Sequence, residues 1–397
     1  MKAYLNTFAS AQGDCIFFRL VNGENKYVIM IDCGGFNKAI EEFVRDTLKK
    51  HIDLLVITHI DCDHINGVSE MLDKIPDITL GKIFYNCYQN FDSNLDIDMS
   101  ETVKCNIDKL QLNLPQHVIK TDEGKINLVK ASVLAGQIIS NAQWKKVWEK
   151  EYIYNKTPRY SLGDGFGDLI FLAPTIDSLN ELDKTFAREY LRLTTHKLPE
   201  NHFCGEETLY ELVIKIVSIK NKDNEISKFK KVSQSHNKYS EDAWESARDF
   251  RPLSISHENS ASIAFHWECN DKRVLFMGDA EPEIIKETLE EVYATKLPIY
   301  FEAIKIAHHG SKHSTSNGLM KLIDSMHYYI TGGNKTDKPS LEALAKIVMR
   351  SCDNARTIHY NNKNNQMMID LQEDRYRDLR MMYNFQISDS NEYEFEY

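Results

Sequence analysis

Short apolar runs alternate with amphipathic stretches along the first part of the chain. Residues 15–21 (CIFFRLV), 27–32 (YVIMID) and 53–58 (DLLVIT) are apolar runs of strand length, the pattern of strands buried on both faces. Gly34 and Gly35 break the chain after the second run. Ile40, Phe43, Val44 and Leu48 then recur at helical spacing, so 36–50 reads as an amphipathic helix. Further strands are expected at 168–173, closed by Pro174, and at 261–266, 273–277, 303–307 and 327–331. Helices are expected around 131–150 and at 341–349, the latter capped by Ser340 after Pro339. Residues 354–371 are expected to add two final strands. The two halves are weakly alike in layout, which suggests an α/β protein of two stacked αβ units.

Two segments interrupt the pattern. Residues 76–150 are mixed, with a polar stretch near 89–101. Residues 176–252 read as an insertion. There Ser178 and Glu181 have capping-box spacing, and Leu179, Leu182, Phe186, Tyr190 and Leu193 continue one face. A second helix fits 207–219, followed by a polar, lysine-rich loop. The expected organisation is one domain over 1–371 with insertions at about 76–160 and 176–252, then an acidic, aromatic tail over 372–397.

Composition narrows the function classes. Hydrophobic residues make up 42% of 397, enough for a real core. The 48 basic and 59 acidic residues give a net charge of −11, which argues against nonspecific coating of nucleic acid or anionic membrane but leaves room for a local basic groove. No apolar run approaches the roughly 18 residues of a membrane helix. The start lacks a signal peptide's apolar centre. The eight cysteines are scattered without a CxxC pair and read as free thiols. A cytoplasmic protein with no membrane partner is expected.

The chemistry concentrates in Thr58-His59-Ile60-Asp61-Cys62-Asp63-His64, which follows a buried strand. Imidazole and carboxylate both bind zinc at about 2.0–2.2 Å. A tight turn can aim alternate side chains at two cations, which about 3.5–4 Å apart can clamp a substrate oxygen and acidify a bridging water. The bland alternative is a polar turn capping the next helix, with Asp61 or Asp63 as the cap. Three later segments also place donors beside strands. Met277-Gly278-Asp279 is weak alone, because Gly-Asp is an ordinary turn. Lys305 to Ser311 carries the pair His308 and His309. Ser256 to Ser262 carries His257, Glu258 and Asn259, any of which could reach a metal.

This ordered set resembles the metallo-β-lactamase superfamily, and within it the branch that includes the hydrolase domain of the ComEC-type DNA-uptake competence protein. The branch features are matched by Gly13-Asp14 before a strand, the turn Asp32-Cys33-Gly34, Asn259 to Ser262, and Lys305 to Ser311. The resemblance covers roughly 1–75, 165–175 and 253–350. It implies an αββα sandwich, here with helical insertions, and two divalent ions, Zn2+ or Mn2+. By matching, His59 and Asp61 would serve one metal; Asp63, His64 and one of His308 and His309 would serve the other; Asp279 would bridge. His308 is the preferred ligand, with His309 as a neighbouring or substrate contact. Asp61 stands where the superfamily often has histidine, and a harder donor favours manganese. The usual central histidine has no clean match: His257 fits by chemistry and Glu258 by offset.

The resemblance implies hydrolysis by a metal-bound hydroxide, with Asp63 orienting it or shuttling a proton. His309, Lys305 or a metal-bound water would protonate the leaving group. Lys305 could instead pair with a phosphate or snorkel at the sheet edge, and Asn259 and Ser311 would contact substrate. A phosphodiesterase or nuclease is the sharper expectation. Lys220, Lys222, Lys228, Lys230 and Lys231 could face phosphates while Phe229 and Tyr239 stack on bases, against the plainer reading of a solvated loop. The alternatives are a hydrolase of a small ester, lactone or amide, and a non-catalytic subunit binding a protein partner through the insertions or tail.

Overall fold

A computed structural model describes residues 1–10, 12–87, 123–182, 239–293, 298–333, 338–350, 354–361 and 365–397. Its strands in chain order are β1 (Lys2–Thr7), β2 (Gln12–Gly13), β3 (Cys15–Asn22), β4 (Asn25–Cys33), β5 (His51–Ile57), β6 (Thr79–Tyr85), β7 (Tyr160–Ser161), β8 (Asp168–Ala173), β9 (Ala264–Cys269), β10 (Lys272–Phe276), β11 (Ile299–Phe301), β12 (Ala303–Lys305), β13 (Ile323–Ser325), β14 (His327–Ile330), β15 (Gly332–Gly333), β16 (Arg356–Tyr360), β17 (Phe385–Ser388) and β18 (Glu392–Glu396).

They form a six-stranded sheet ordered β18-β1-β3-β4-β5-β6 and an eight-stranded sheet ordered β17-β16-β14-β12-β10-β9-β8-β7. Period-2 alternation assigns each face. Phe17, Met30, Leu55 and Ile57 point to an outer core shared with helix Cys62–Lys74. Their neighbours Phe18, Ile29, Ile31, Leu54 and Val56 meet Phe171, Phe265, Trp267, Val274 and Phe276 of the other sheet. That second sheet buries its remaining face, through Leu275, Ile304 and Ile358, against helices Glu241–Arg248, Pro282–Val292 and Leu341–Val348. The result is four layers, αββα. Both sheets are covered on both faces, which is why their strands read as unbroken apolar runs.

Helix Cys62–Lys74 sits directly after β5 and carries half of the central motif. It buries His64, Ile65, Val68, Met71 and Leu72 at helical spacing. Gly67 faces inward too: a Cβ there would lie 2.5 Å from Cys33 Sγ and 2.7 Å from Gly35 backbone. Only glycine lets the helix lie this close to the end of β4.

Several expectations need adjusting. The stretch 36–50 is a short helix, Lys38–Glu42, running into a wider π turn, Phe43–Thr47. Residues 354–371 give one strand, β16, and then helix Gln366–Asp370, capped by the Asn365 side chain. The stretch 372–397 enters both sheets, as β17 beside β16 and β18 beside β1. Tyr239 is buried in the core between the eight-stranded sheet and its helices, against Tyr376 with ring centroids 5.6 Å apart, so it offers no stacking face to a base. The helix expected at 207–219, most of the one beyond Leu182, the five lysines from Lys220 to Lys231, and Phe229 lie outside the described residues. Among the described residues no helix is long and apolar enough to cross a membrane.

Candidate metal centre

The central motif is held by a buried carboxylate in the preceding turn. Asp32 ends β4 in a left-handed conformation, φ 55°, which aspartate tolerates better than most residues. Its Oδ1 accepts the Thr58 N–H at 2.7 Å, and its Oδ2 accepts the Thr58 hydroxyl at 2.6 Å and lies 2.8 Å from His64 Nδ1. A carboxylate only accepts, so His64 carries its proton on Nδ1 and turns an Nε2 lone pair inward. The same logic fixes His59. Its Nδ1 lies 3.0 Å from Thr58 Oγ1, whose own proton is committed to Asp32. His59 Nδ1 therefore donates, and His59 Nε2 is left as a lone pair.

His309 is oriented from the opposite side. Its Nδ1 lies 3.0 Å from the Thr331 carbonyl and 3.1 Å from Asp14 Oδ1, both acceptors. Its Nε2 faces Asp63 Oδ2 at 3.0 Å. Asp14 is buried and also accepts the Thr331 hydroxyl and pairs with the Lys305 ammonium. Burial would raise the Asp14 pKa, but the charges of Lys305 and His309 outweigh it and hold the carboxyl far below its usual range. The preceding Gly13, at φ +69°, lies so close to Asp63 that a Cβ would stand 1.7 Å from its carbonyl oxygen. Glycine is thus a steric requirement of the Gly13-Asp14 pair.

Asp279 sits where these groups converge. Its N–H donates to Ser262 Oγ at 3.0 Å, and its Oδ2 lies 3.8, 3.5 and 3.7 Å from the Nε2 atoms of His59, His64 and His308. Burial pushes its carboxyl up, but the surrounding His308, His64 and His309 charges hold it well below the ordinary carboxylate value. Burial pushes His64 down, yet Asp279, Asp32 and Asp63 raise its pKa well above the usual imidazole value, so a cation bound at Nε2 would displace a proton from it.

Two overlapping groups could each hold a cation: His59, His64 and Asp279, and Asp63, His64 and His309. A third, Asp14, Asp32 and His64, is made of carboxylates already committed to Thr58, His64, His309, Thr331 and Lys305, and serves as support. The donor set fits a metal on independent grounds. His59 Nε2, His64 Nε2 and Asp279 Oδ1 are buried with no hydrogen-bond partner among the described residues. Leaving such atoms unpaired costs about 1–3 kcal/mol each, so an opposite charge belongs among them. Asp61 stands at the N-cap of helix Cys62–Lys74 but makes no capping bond; its Oδ2 lies 3.6 Å from His59 Nε2.

The remaining sequence candidates fall differently. His257 is exposed at the start of helix His257–Ser260 and belongs to none of these groups, whereas Asn259 is buried and faces the centre. The Asn259 amide nitrogen lies 3.3 Å from His308 Nδ1, and Asn259 Oδ1 is another buried atom without a partner. Lys305 does not reach solvent or a substrate: it is buried against Asp14, with its Nζ 3.5 Å from the Gly278 carbonyl. This excludes both snorkelling and a phosphate contact. Ser311 is buried too, and its hydroxyl accepts the His313 N–H within its own turn. Sequence reasoning assigned no role to Asp14 or Asp32 beyond their motifs. Their signal was the paired turns Gly13-Asp14 and Asp32-Cys33-Gly34.

The histidine pair owes its geometry to strain. His308 and His309 both adopt left-handed conformations, φ 50° and 55°. Each costs about 1–2 kcal/mol in a non-glycine residue. The distortion sends His309 inward beside Asp63 and His64, while His308 is 21% exposed with its Nε2 3.7 Å from Asp279 Oδ2.

Four stacked layers with imidazoles and carboxylates gathered at the strand ends define the metallo-β-lactamase fold. Residues 11–81, which carry the turns at Asp14 and Asp32 and the whole HxDxDH segment, match the family model described as "Metallo-beta-lactamase superfamily". The match supports that superfamily and, with it, a metal-dependent hydrolase. No curated protein matches the chain.

Proposed function

We propose that the protein is a metal-dependent phosphodiesterase or nuclease working with two divalent cations, Zn2+ or Mn2+. The reading is carried by the convergence of unpartnered, buried His59 Nε2, His64 Nε2 and Asp279 Oδ1 beside Asp63 and His309. His59, Asp61 and Asp279 would hold one cation. Asp63, His64 and His309 would hold the other, with Asp279 shared. When bound, the pair would polarise a phosphoryl oxygen and lower the pKa of water, which suits in-line displacement at phosphorus.

The chain's own groups do the positioning and proton handling. Asp32 and Asp14 fix the tautomers of His64 and His309, the support that oriented ligands need. Asp63 orients the attacking water and takes its proton. Asn259 donates to His308 Nδ1, so the His308 proton sits on Nε2, facing Asp279 at the open side. His308, rather than His309 or Lys305, is therefore the group placed to protonate the leaving oxygen.

The test is turnover of bis(p-nitrophenyl) phosphate with added Zn2+ or Mn2+. Asp63→Ala and His64→Ala are each expected to lose about a hundredfold or more. Unchanged turnover in both rejects the mechanism. Hydrolysis of chromogenic carboxylic esters with none of the diester would instead select the small-ester reading.

A further inference from the structure

We propose that Arg251, Lys312 and His313 form a phosphate subsite at the mouth of the centre, on its His308 side, which holds a phosphate neighbouring the scissile one on a nucleic-acid strand. The proposal rests on the phosphodiesterase reading and names how a polymeric substrate would be recognised.

The mouth is built from two strips that meet. His308 is flanked by Asn259 and by Ser314, whose Oγ lies 3.3 Å from His308 Nδ1. The chain entering Asn259 runs through 250–257, and the chain entering Ser314 runs through 311–313. They are joined where the Leu253 N–H donates to His313 Nδ1 at 3.2 Å. Accepting at Nδ1 leaves the His313 proton on Nε2, so the ring presents an N–H donor. Burial and the ammonium groups of Lys312, Lys346 and Lys338 push its pKa down, which keeps it neutral at physiological pH.

Two full cations belong to the same two strips, Arg251 between Phe250 and Leu253 in sequence and Lys312 next to His313. Arg251 is exposed and has no ion-pair or hydrogen-bond partner among the described residues. The Lys312 side chain is 41% exposed, its ammonium 4.9 Å from the Phe250 ring centre and 3.7 Å from Glu342 Oε1, a loose pair. Beneath them, buried Lys346 donates to the Thr315 carbonyl at 2.7 Å and braces the strip. Phe250 lies edge-on to His313, centroids 5.6 Å apart, and adds an aromatic surface beside the charges. A basic strip beside the catalytic opening of a chain of net charge −11 is a local feature, suited to drawing one polyanion to one place.

The experiment measures binding of a fluorescein-labelled single-stranded DNA oligonucleotide to the full chain across salt concentrations, with bis(p-nitrophenyl) phosphate turnover in parallel. Arg251→Gln and Lys312→Gln are each expected to weaken binding about fivefold and to reduce the log–log salt slope by about 0.7. Lys312→Arg should restore the slope, and Lys26→Gln, at the far end of β4, should change neither quantity. The proposal is overturned if the oligonucleotide does not bind, or if both glutamine variants bind like wild type. Weakened binding together with no diester turnover by wild type would uphold the subsite and defeat the phosphodiesterase reading alone.

Discussion

Asp32 Oδ2 stands 2.8 Å from His64 Nδ1, and this one bond sets which nitrogen of His64 faces Asp279 and Asp63. In Asp32→Asn the new amide can donate to His64 Nδ1, which moves the ring proton to Nε2 and spoils the lone pair. Metal affinity is expected to fall about 10–100-fold, measured by competition with a chelating dye. Equal affinity in the variant would show that Asp32 does not set the tautomer.

The neighbouring histidines divide their labour in a way alanine variants can separate. His309 lies in the group with Asp63 and His64, so His309→Ala is expected to lose bound metal. His308 is the more exposed of the two and lies in neither donor group, so His308→Ala is expected to keep most of its metal while kcat drops about a hundredfold. Metal loss in His308→Ala with full retention in His309→Ala would reverse the assignment.

Lys305 and Asp14 are a buried ion pair between residues far apart in the sequence. Removing one partner strands a charge in the core. Lys305→Met is expected to destabilise the fold by about 3–5 kcal/mol, read from urea unfolding. Lys305→Met combined with Asp14→Asn should recover much of that loss. A single variant as stable as wild type would contradict the pairing.

Acid should weaken the fold through His266. This side chain is fully buried, and burial pushes its pKa from 6.5 down to about 4. The unfolded chain takes up the proton first, so stability is full above about pH 6.5 and declines as pH falls toward about 4, by on the order of 3 kcal/mol. His359, also pushed down to about 4 by burial and by His327, acts in the same direction. Unfolding curves across that range should show the decline, and His266→Gln should flatten it. An unchanged slope in the variant would exclude His266 as the cause.

Much of this was written locally in the sequence. The run 168–173 is β8 to the residue, and the HxDxDH spacing places its donors at a strand end and in the first turn of a helix. What was hidden depended on conformation or on distant contacts. Residue types do not reveal that His308 and His309 both turn left-handed, nor which of the two lies beside Asp63 and His64. His257 is a better ligand by chemistry than Asn259, but the short helix His257–Ser260 points the buried face at Asn259. The burial of Lys305 is not legible locally because its partner, Asp14, lies far away in the sequence. The closing stretch did carry a signal. In Glu392–Glu396 the aromatic residues alternate with glutamates, a period-2 strand pattern that its acidic composition obscured.

The central claim is that the chain holds two cations through donors that converge on Asp279. The most direct measurement is elemental analysis of the purified protein after equilibration with Zn2+ or Mn2+ and removal of excess ion. Wild type is expected to retain two ions per chain, and His64→Ala, which removes a donor from one of the two sets, to retain about one. A wild-type chain that retains no divalent ion, or a His64→Ala chain that retains as many as wild type, would contradict the account.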